Sequence, residues 1–169
     1  MRVAHYLNEQ RIAYETVVHP PAFTAQKRAK YMGVSGKQVA KAVLLAGPED
    51  YFLAVLPATQ QIDTAALEKA FAGPVRLAAP HEVARIFRDC EWGVVVPFGT
   101  LYGLPCVLEE SLDPDATLVF EGPTHAEAIR LRCRDYERLE HPVRLLFGRG
   151  QSNHFPPAPA ADVLKSRVT

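Results

Sequence analysis

Apolar positions along the chain change their period repeatedly, and each change marks an element. Val3, Tyr6 and Leu7 recur at helical spacing and predict a short amphipathic helix over residues 2–10. Residues 14–18 read as a strand that His19-Pro20-Pro21 ends. Thr24 is placed to cap a helix running to about Met32, with Gly33 as its stop. The run 39–46 predicts a strand with Val39, Lys41, Val43 and Leu45 on one face and Ala40, Ala42, Leu44 and Ala46 on the other. Residues 51–56 predict its antiparallel partner. Asp63 or Thr64 caps a helix over 65–71 that Gly73-Pro74 terminates, and 75–77 read as a short strand. Pro80 opens a helix over 81–89. Its Val83, Ile86 and Phe87 face inward, which leaves His81 and Glu82 in an exposed first turn without a chemical task. Val94, Val95 and Val96 predict a buried strand, and a connection rich in Gly and Pro then leads to another strand from Cys106, which together suggest a hairpin. Residues 117–120 and 128–132 predict two more strands, the second of them the last. A helix over 135–140 follows, with Tyr136 and Leu139 packed inward.

Length and composition fit this pattern. A chain of 169 residues, 48% hydrophobic and 22% charged, suits one soluble domain with a real core. No apolar run approaches the roughly 18 residues of a membrane span. The first residues lack the basic and apolar regions of a secretory signal. Cys90, Cys106 and Cys133 form no CxxC pair, which suits a reducing cytoplasm and inert packing. From about residue 149 onward, Pro156, Pro157 and Pro159 and few large apolar groups suggest a flexible tail beyond a domain of residues 1–148.

Formal net charge is zero, yet residues 1–41 carry +5, residues 49–127 carry −9 and residues 128–169 carry +4. If the two basic ends meet, they make one local face suited to a few phosphate contacts; otherwise they are solvated surface. Gly33-Val34-Ser35-Gly36-Lys37 is not a phosphate loop. The glycine spacing is wrong, no Ser or Thr follows the lysine, and a strand follows where a helix should.

The chemistry-bearing residues are few. There is no Gly-x-Ser-x-Gly, no His-Glu-x-x-His, no dinucleotide fingerprint and no zinc spacing among the Cys and His residues. What stands out is Lys41, the only charge on a strand apolar on both faces. An unpaired ammonium there must snorkel from the sheet end, find an anion or line a pocket. The stretch from Gly93 through Pro97 to Gly99 and Gly103 could present bare backbone N–H groups to a carbonyl or oxyanion. A second Gly/Pro loop runs from Gly122 to His125. So few nucleophiles suit an already activated substrate such as an ester, for which orientation and oxyanion stabilisation suffice.

The Lys41 strand, Gly93-x-x-x-Pro97-Phe98-Gly99, Gly122-x-x-His125, Ile129-Arg130-Leu131 and Asp135-Tyr136-x-x-Leu139, in that order, resemble the YbaK/prolyl-tRNA synthetase-associated domain family. These are trans-editing aminoacyl-tRNA deacylases and the related insertion domain of bacterial prolyl-tRNA synthetases. The resemblance spans about residues 1–147. It implies a mixed α/β (α+β) fold, with a curved, antiparallel or mixed sheet of six or seven strands flanked by helices. It also implies no metal or organic cofactor, and the 3′ end of an aminoacyl-tRNA as partner, with a synthetase as a further candidate. Carried over, Lys41 would hold the 3′-terminal nucleotide or the ester. The backbone of Gly93, Val94, Val95, Val96 and Pro97 would orient the carbonyl, and His125 would shape or polarise the aminoacyl pocket. Thr24, Phe98, Gly99 and Gly122 are further candidate lining residues. Val94 stands where the family usually has a small residue, and the Pro-rich tail has no counterpart. The implied reaction removes a small amino acid such as alanine, cysteine or serine from a mischarged tRNA(Pro)-type molecule, using water rather than a protein nucleophile. The competing class is a non-catalytic adaptor on the same fold that binds tRNA or a synthetase.

Overall fold

The computed structural model describes residues 2–150. Ten strands and five helices follow one another as α1 (Arg2–Glu9), β1 (Glu15–Val18), α2 (Ala25–Met32), β2 (Val39–Ala46), β3 (Tyr51–Pro57), β4 (Gln60–Ile62), α3 (Thr64–Phe71), β5 (Arg76–Leu77), α4 (Pro80–Ile86), β6 (Cys106–Glu109), β7 (Thr117–Glu121), β8 (Glu127–Arg132), α5 (Cys133–Glu140), β9 (Val143–Leu145) and β10 (Gly148–Gly150). One eight-stranded sheet runs in the order β1-β8-β7-β2-β3-β6-β9, with β5 added beside β2. It is mixed: β2 pairs antiparallel with β3 and parallel with β7, while β6 runs parallel to β3 and β9 parallel to β6. A second ribbon joins β10 to β4.

Local chemistry accounts for most boundaries. Thr24 Oγ1 accepts from the Lys27 N–H at 3.1 Å to start α2. Gly33, at φ +63°, ends it by donating to the carbonyls of Ala29 and Lys30. Asp63 caps α3 through the amides of Ala65 and Ala66. Alternation along β2 decides the layers. Ala40 and Leu44 face the main core, where Leu53, Val55, Phe98, Phe120 and Tyr136 pack with Val3 and Leu7 of α1. Val39 meets Ala29 of α2 on the other face, and Leu45 joins a third cluster with Phe52, Leu56 and Leu67.

Three sequence expectations need correction. Val94, Val95 and Val96 are buried but form no strand, so there is no hairpin with β6. Their side chains are absorbed into the main core, the Pro97 carbonyl accepts from the Tyr136 hydroxyl at 2.7 Å, and β6 finds its ladders on β3 and β9 instead. Glu82 is buried rather than idle: it accepts from Arg76 at 2.8 and 2.9 Å, from the Ala79 N–H at 2.6 Å and from the Tyr51 hydroxyl. Those bonds, Arg76 foremost, hold its carboxyl well below the usual range. Residues 128–132 are not the last strand, because β9 and β10 follow. Glu109, 1% exposed, explains both, since its carboxylate accepts from the Phe147 and Gly148 amides at 2.8 and 2.6 Å. Of the tail expected over residues 149–169, Arg149 and Gly150 lie in β10 and the rest lies outside the described residues.

Candidate functional site

On the Lys41 face of β2, the Ala29 cluster ends and the Leu67 cluster begins, and the gap between them is a cavity of about 380 Å³. Lys41, Ala42 and Val43 form its floor. Phe23, Thr24, Ala25 and Gln26, from the first turn of α2 and the residue before it, form one wall, and Gly93 and Glu121 complete the other. Lys41 is half-buried, and no hydrogen bond or ion pair engages it among the described residues. Burial lowers its pKa from the ordinary lysine value. The sequence left open whether this ammonium snorkels or lines a pocket; the geometry places it in the pocket.

Arg28 and Glu121 of the lining belong to a buried ionic array. Arg28 is 2% exposed and donates through Nη2 to Glu121 Oε1 at 2.8 Å, while its Nε has no partner among the described residues. Burial raises the Glu121 pKa against the opposing pull of Arg28 and His125. His125 Nδ1 lies 3.5 Å from the same oxygen, and His125 Nε2 lies 2.8 Å from the Trp92 carbonyl. A carbonyl only accepts, so Nε2 carries a proton. The contact between Nδ1 and Glu121 is then attractive only with one further proton, on either the ring or the carboxyl. The His125 amide also donates to Glu91 at 2.8 Å, which fixes the second Gly/Pro loop against the first.

Gly93 has φ +83°, and a Cβ there would stand 3.9 Å from His125 Nε2. Among the described residues no hydrogen bond ties up its amide. Past Gly93 a second cavity of about 150 Å³ is lined by Val83, Phe87, Arg88, Cys90, Trp92 and Val94 among others.

The structure therefore brings Lys41, Gly93, Thr24 and, one contact behind them, His125 together. Val94 borders only the second cavity. Val95, Val96, Pro97, Phe98 and Gly99 are buried in or against the main core, away from the cavity wall. Gly99 is packed so closely that a Cβ would sit 2.4 Å from the Leu104 carbonyl oxygen. Gly122 is buried against Glu127 and donates to its carbonyl at 2.9 Å, which shapes the loop rather than the cavity. Sequence reasoning missed Arg28, Glu121 and Phe23. Arg28 left a signal: with Ala25, Ala29 and Met32 it occupies the buried face of α2, where a charge demands a partner. Glu121 shares a strand face with buried Val119, a weaker signal of the same kind.

Thr24 is the only hydroxyl-bearing side chain on the first cavity wall, and it is committed to capping α2. That wall carries no thiol. No group of three His, Cys, Asp or Glu residues suited to a metal ion occurs among the described residues. The arrangement can bind and orient a polar substrate beside one cation and a glycine backbone. No helix among the described residues is long and apolar enough to cross a membrane.

The sequence model of the aminoacyl-tRNA editing domain family matches residues 19–139. No curated protein sequence matches the chain. Among solved structures, a hypothetical protein superposes with a TM-score of 0.81 at 16% identity, covering 88% of this chain and 100% of its own. A protein described as a candidate trans-editing enzyme for prolyl-tRNA synthetase superposes with a TM-score of 0.76 at 23% identity, over 88% of this chain and 96% of its own. A much longer candidate signal-transduction protein from Marinobacter aquaeolei superposes with a TM-score of 0.71 at 16% identity. It covers 89% of this chain and 31% of its own. At these identities the neighbours speak for the fold.

Proposed function

The chain belongs to the aminoacyl-tRNA editing domain family, and on that footing we propose that it is a deacylase that hydrolyses the ester of a mischarged aminoacyl-tRNA. The observation that carries this reading is the unpartnered, half-buried Lys41 ammonium in a cavity walled by Gly93 and the start of α2. A protein does not leave such a group without a partner unless a ligand supplies one, because desolvation is otherwise uncompensated. An RNA 3′ end supplies phosphate and ribose oxygens, and the ester supplies a carbonyl whose oxygen turns anionic as water adds to its carbon.

In the proposed step, water attacks the ester carbon and the carbon–oxygen bond to the ribose breaks. The leaving ribose oxygen takes the proton that the water gives up and becomes the terminal hydroxyl, so free amino acid and tRNA result. Lys41 positions the terminal nucleotide and screens the developing charge, and the Gly93 amide is the nearest backbone donor available to the carbonyl. His125 acts as a positioning residue: its ring donates to the Trp92 carbonyl and its amide to Glu91, which fixes the Gly93 turn. The wall lacks a free nucleophile, which favours direct attack by water over a covalent intermediate. The cavity suits a small amino acid such as alanine, serine or cysteine, and a tRNA(Pro)-type substrate is the first to test.

The test is release of amino acid from Ala-, Ser- and Cys-tRNA(Pro) by the parent and by Lys41→Ala. The expected result is turnover of one substrate, lowered by about 100-fold in kcat/KM in the variant, the size of one lost transition-state contact. A folded Lys41→Ala protein that turns over at the parent rate removes the reading.

A further inference from the structure

Two large exposed rings flank the site, and the packing does not account for them. Phe23 is 72% and Trp92 67% exposed, and His125 touches the Phe23 ring and the Trp92 backbone. The Phe23 ring lies 4.7 Å from the imidazole, centroid to centroid, and the Trp92 carbonyl accepts from Nε2 at 2.8 Å. Each ring borders a different cavity. Phe23 shares the larger one with Lys41, Trp92 shares the smaller one with Arg88, and Gly93 is common to both.

The charges around the rings are uneven. The acids of the two cavities are already engaged, Glu121 by Arg28 and Glu91 by the His125 amide. Lys41 and Arg88 have no partner among the described residues. Each exposed aromatic thus shares a cavity with one cation that has no ion-pair partner among the described residues, and α2 adds exposed Lys27 and Lys30. An apolar peptide would satisfy the rings and leave the cations bare. A polyanion whose repeating unit is a flat ring followed by a negative charge satisfies both. That unit is an unpaired nucleotide: bases stack on aromatic faces, and cations take the phosphates.

We infer that Phe23 and Trp92 are stacking surfaces for two unpaired bases of an RNA 3′ end, one at each cavity, with Lys41 and Arg88 receiving the flanking phosphates. This deepens the reading of the site as one that receives an RNA 3′ end, and it does not depend on hydrolysis. Gly93 lines both cavities, so the two bases lie on either side of its turn.

Trp92 is the chain's sole tryptophan, so its fluorescence reports this position alone. The full chain is titrated with an uncharged RNA hairpin that ends in four unpaired nucleotides, and with the same hairpin trimmed to a blunt end. Anisotropy of the labelled RNA gives Kd independently. The overhanging hairpin is expected to quench Trp92, and the blunt one is expected to bind more weakly without quenching. Phe23→Leu and Trp92→Leu are each expected to raise Kd about tenfold, the loss of one base-stacking contact, while Trp92→Phe stays within about twofold of the parent. Equal binding of both hairpins, unchanged Trp92 emission with the overhanging hairpin bound, or parental Kd in both leucine variants overturns the inference. Overhang-dependent quenching in a protein that deacylates nothing retires the hydrolase reading and keeps this one. Lys41-dependent deacylation with unaltered KM in both leucine variants does the reverse.

Discussion

Replacing Arg28 by methionine tests the electrostatic architecture behind the cavity. The guanidinium is 2% exposed and meets Glu121 Oε1 at 2.8 Å, while the Glu121 side chain keeps 16% exposure. Removing one member of a buried pair leaves the other unpaired and costs about 3–5 kcal/mol. Some solvent still reaches Glu121, and His125 remains 3.5 Å away, so about 3 kcal/mol is the expected loss near pH 8. For a chain of this size that lowers Tm by about 6–12 °C. The pH dependence carries more information than the magnitude. Burial raises the Glu121 pKa and Arg28 opposes that rise, so the variant carboxyl must titrate higher still. A folded pKa above the unfolded one means that the native state binds the extra proton. Its stability is therefore best at low pH and is lost as pH rises from the unfolded value through the folded one. Arg28→Met should accordingly be much closer to the parent at pH 5 than at pH 8. Urea unfolding at both pH values measures the difference. A loss below about 1 kcal/mol at pH 8, or one that is independent of pH, refutes the reasoning.

Other perturbations follow from the same geometry. Gly93→Ala places a Cβ at φ +83° with only an ordinary contact to His125, so it should cost about 1 kcal/mol in denaturant while lowering deacylation more than stability alone explains. Lys41→Met removes a desolvated ammonium and should gain up to about 1 kcal/mol. Because the folded Lys41 pKa is depressed, the parent should recover that deficit as pH rises toward the ordinary lysine value, and the gain measured by Tm should shrink there. Glu109→Gln turns an amide NH2 toward amides that now donate to a carboxylate. A loss of about 2–3 kcal/mol is expected, with faster hydrogen exchange over residues 143–150 than elsewhere.

The sequence was most legible where local chemistry and periodicity agreed. Thr24, Gly33 and Asp63 sit at the helix ends they predict, and β2 spans the run 39–46 read from its alternation. Lys41 stood out because a charge on an apolar strand is a conflict that local rules cannot resolve. The valines at 94–96 misled because three buried β-branched residues satisfy the core whether or not a neighbouring strand supplies a ladder. Glu82 and Glu109 were invisible as structural acids, since their partners lie as far off as Tyr51 and Phe147. β4, β9 and β10 are three residues each, too short for any period to register. The cavity itself depended on a meeting of α2, β2, β7 and the Gly93 turn that no stretch of chain encodes alone.

The edge of the sheet has a consequence for how the chain is made. β1 leaves the ribosome well before its partner β8, which comes 115 positions later at the pairing of Glu15 with Arg130. At synthesis rates of about 5–20 residues per second, β1 waits roughly 6–23 s for the strand that covers it. Until β8 arrives, β7 also has a bare edge, able to capture any extended segment nearby. Half-made chains are therefore this fold's most aggregation-prone species, and its folding should be slow for its size because its decisive pairing is so distant in sequence.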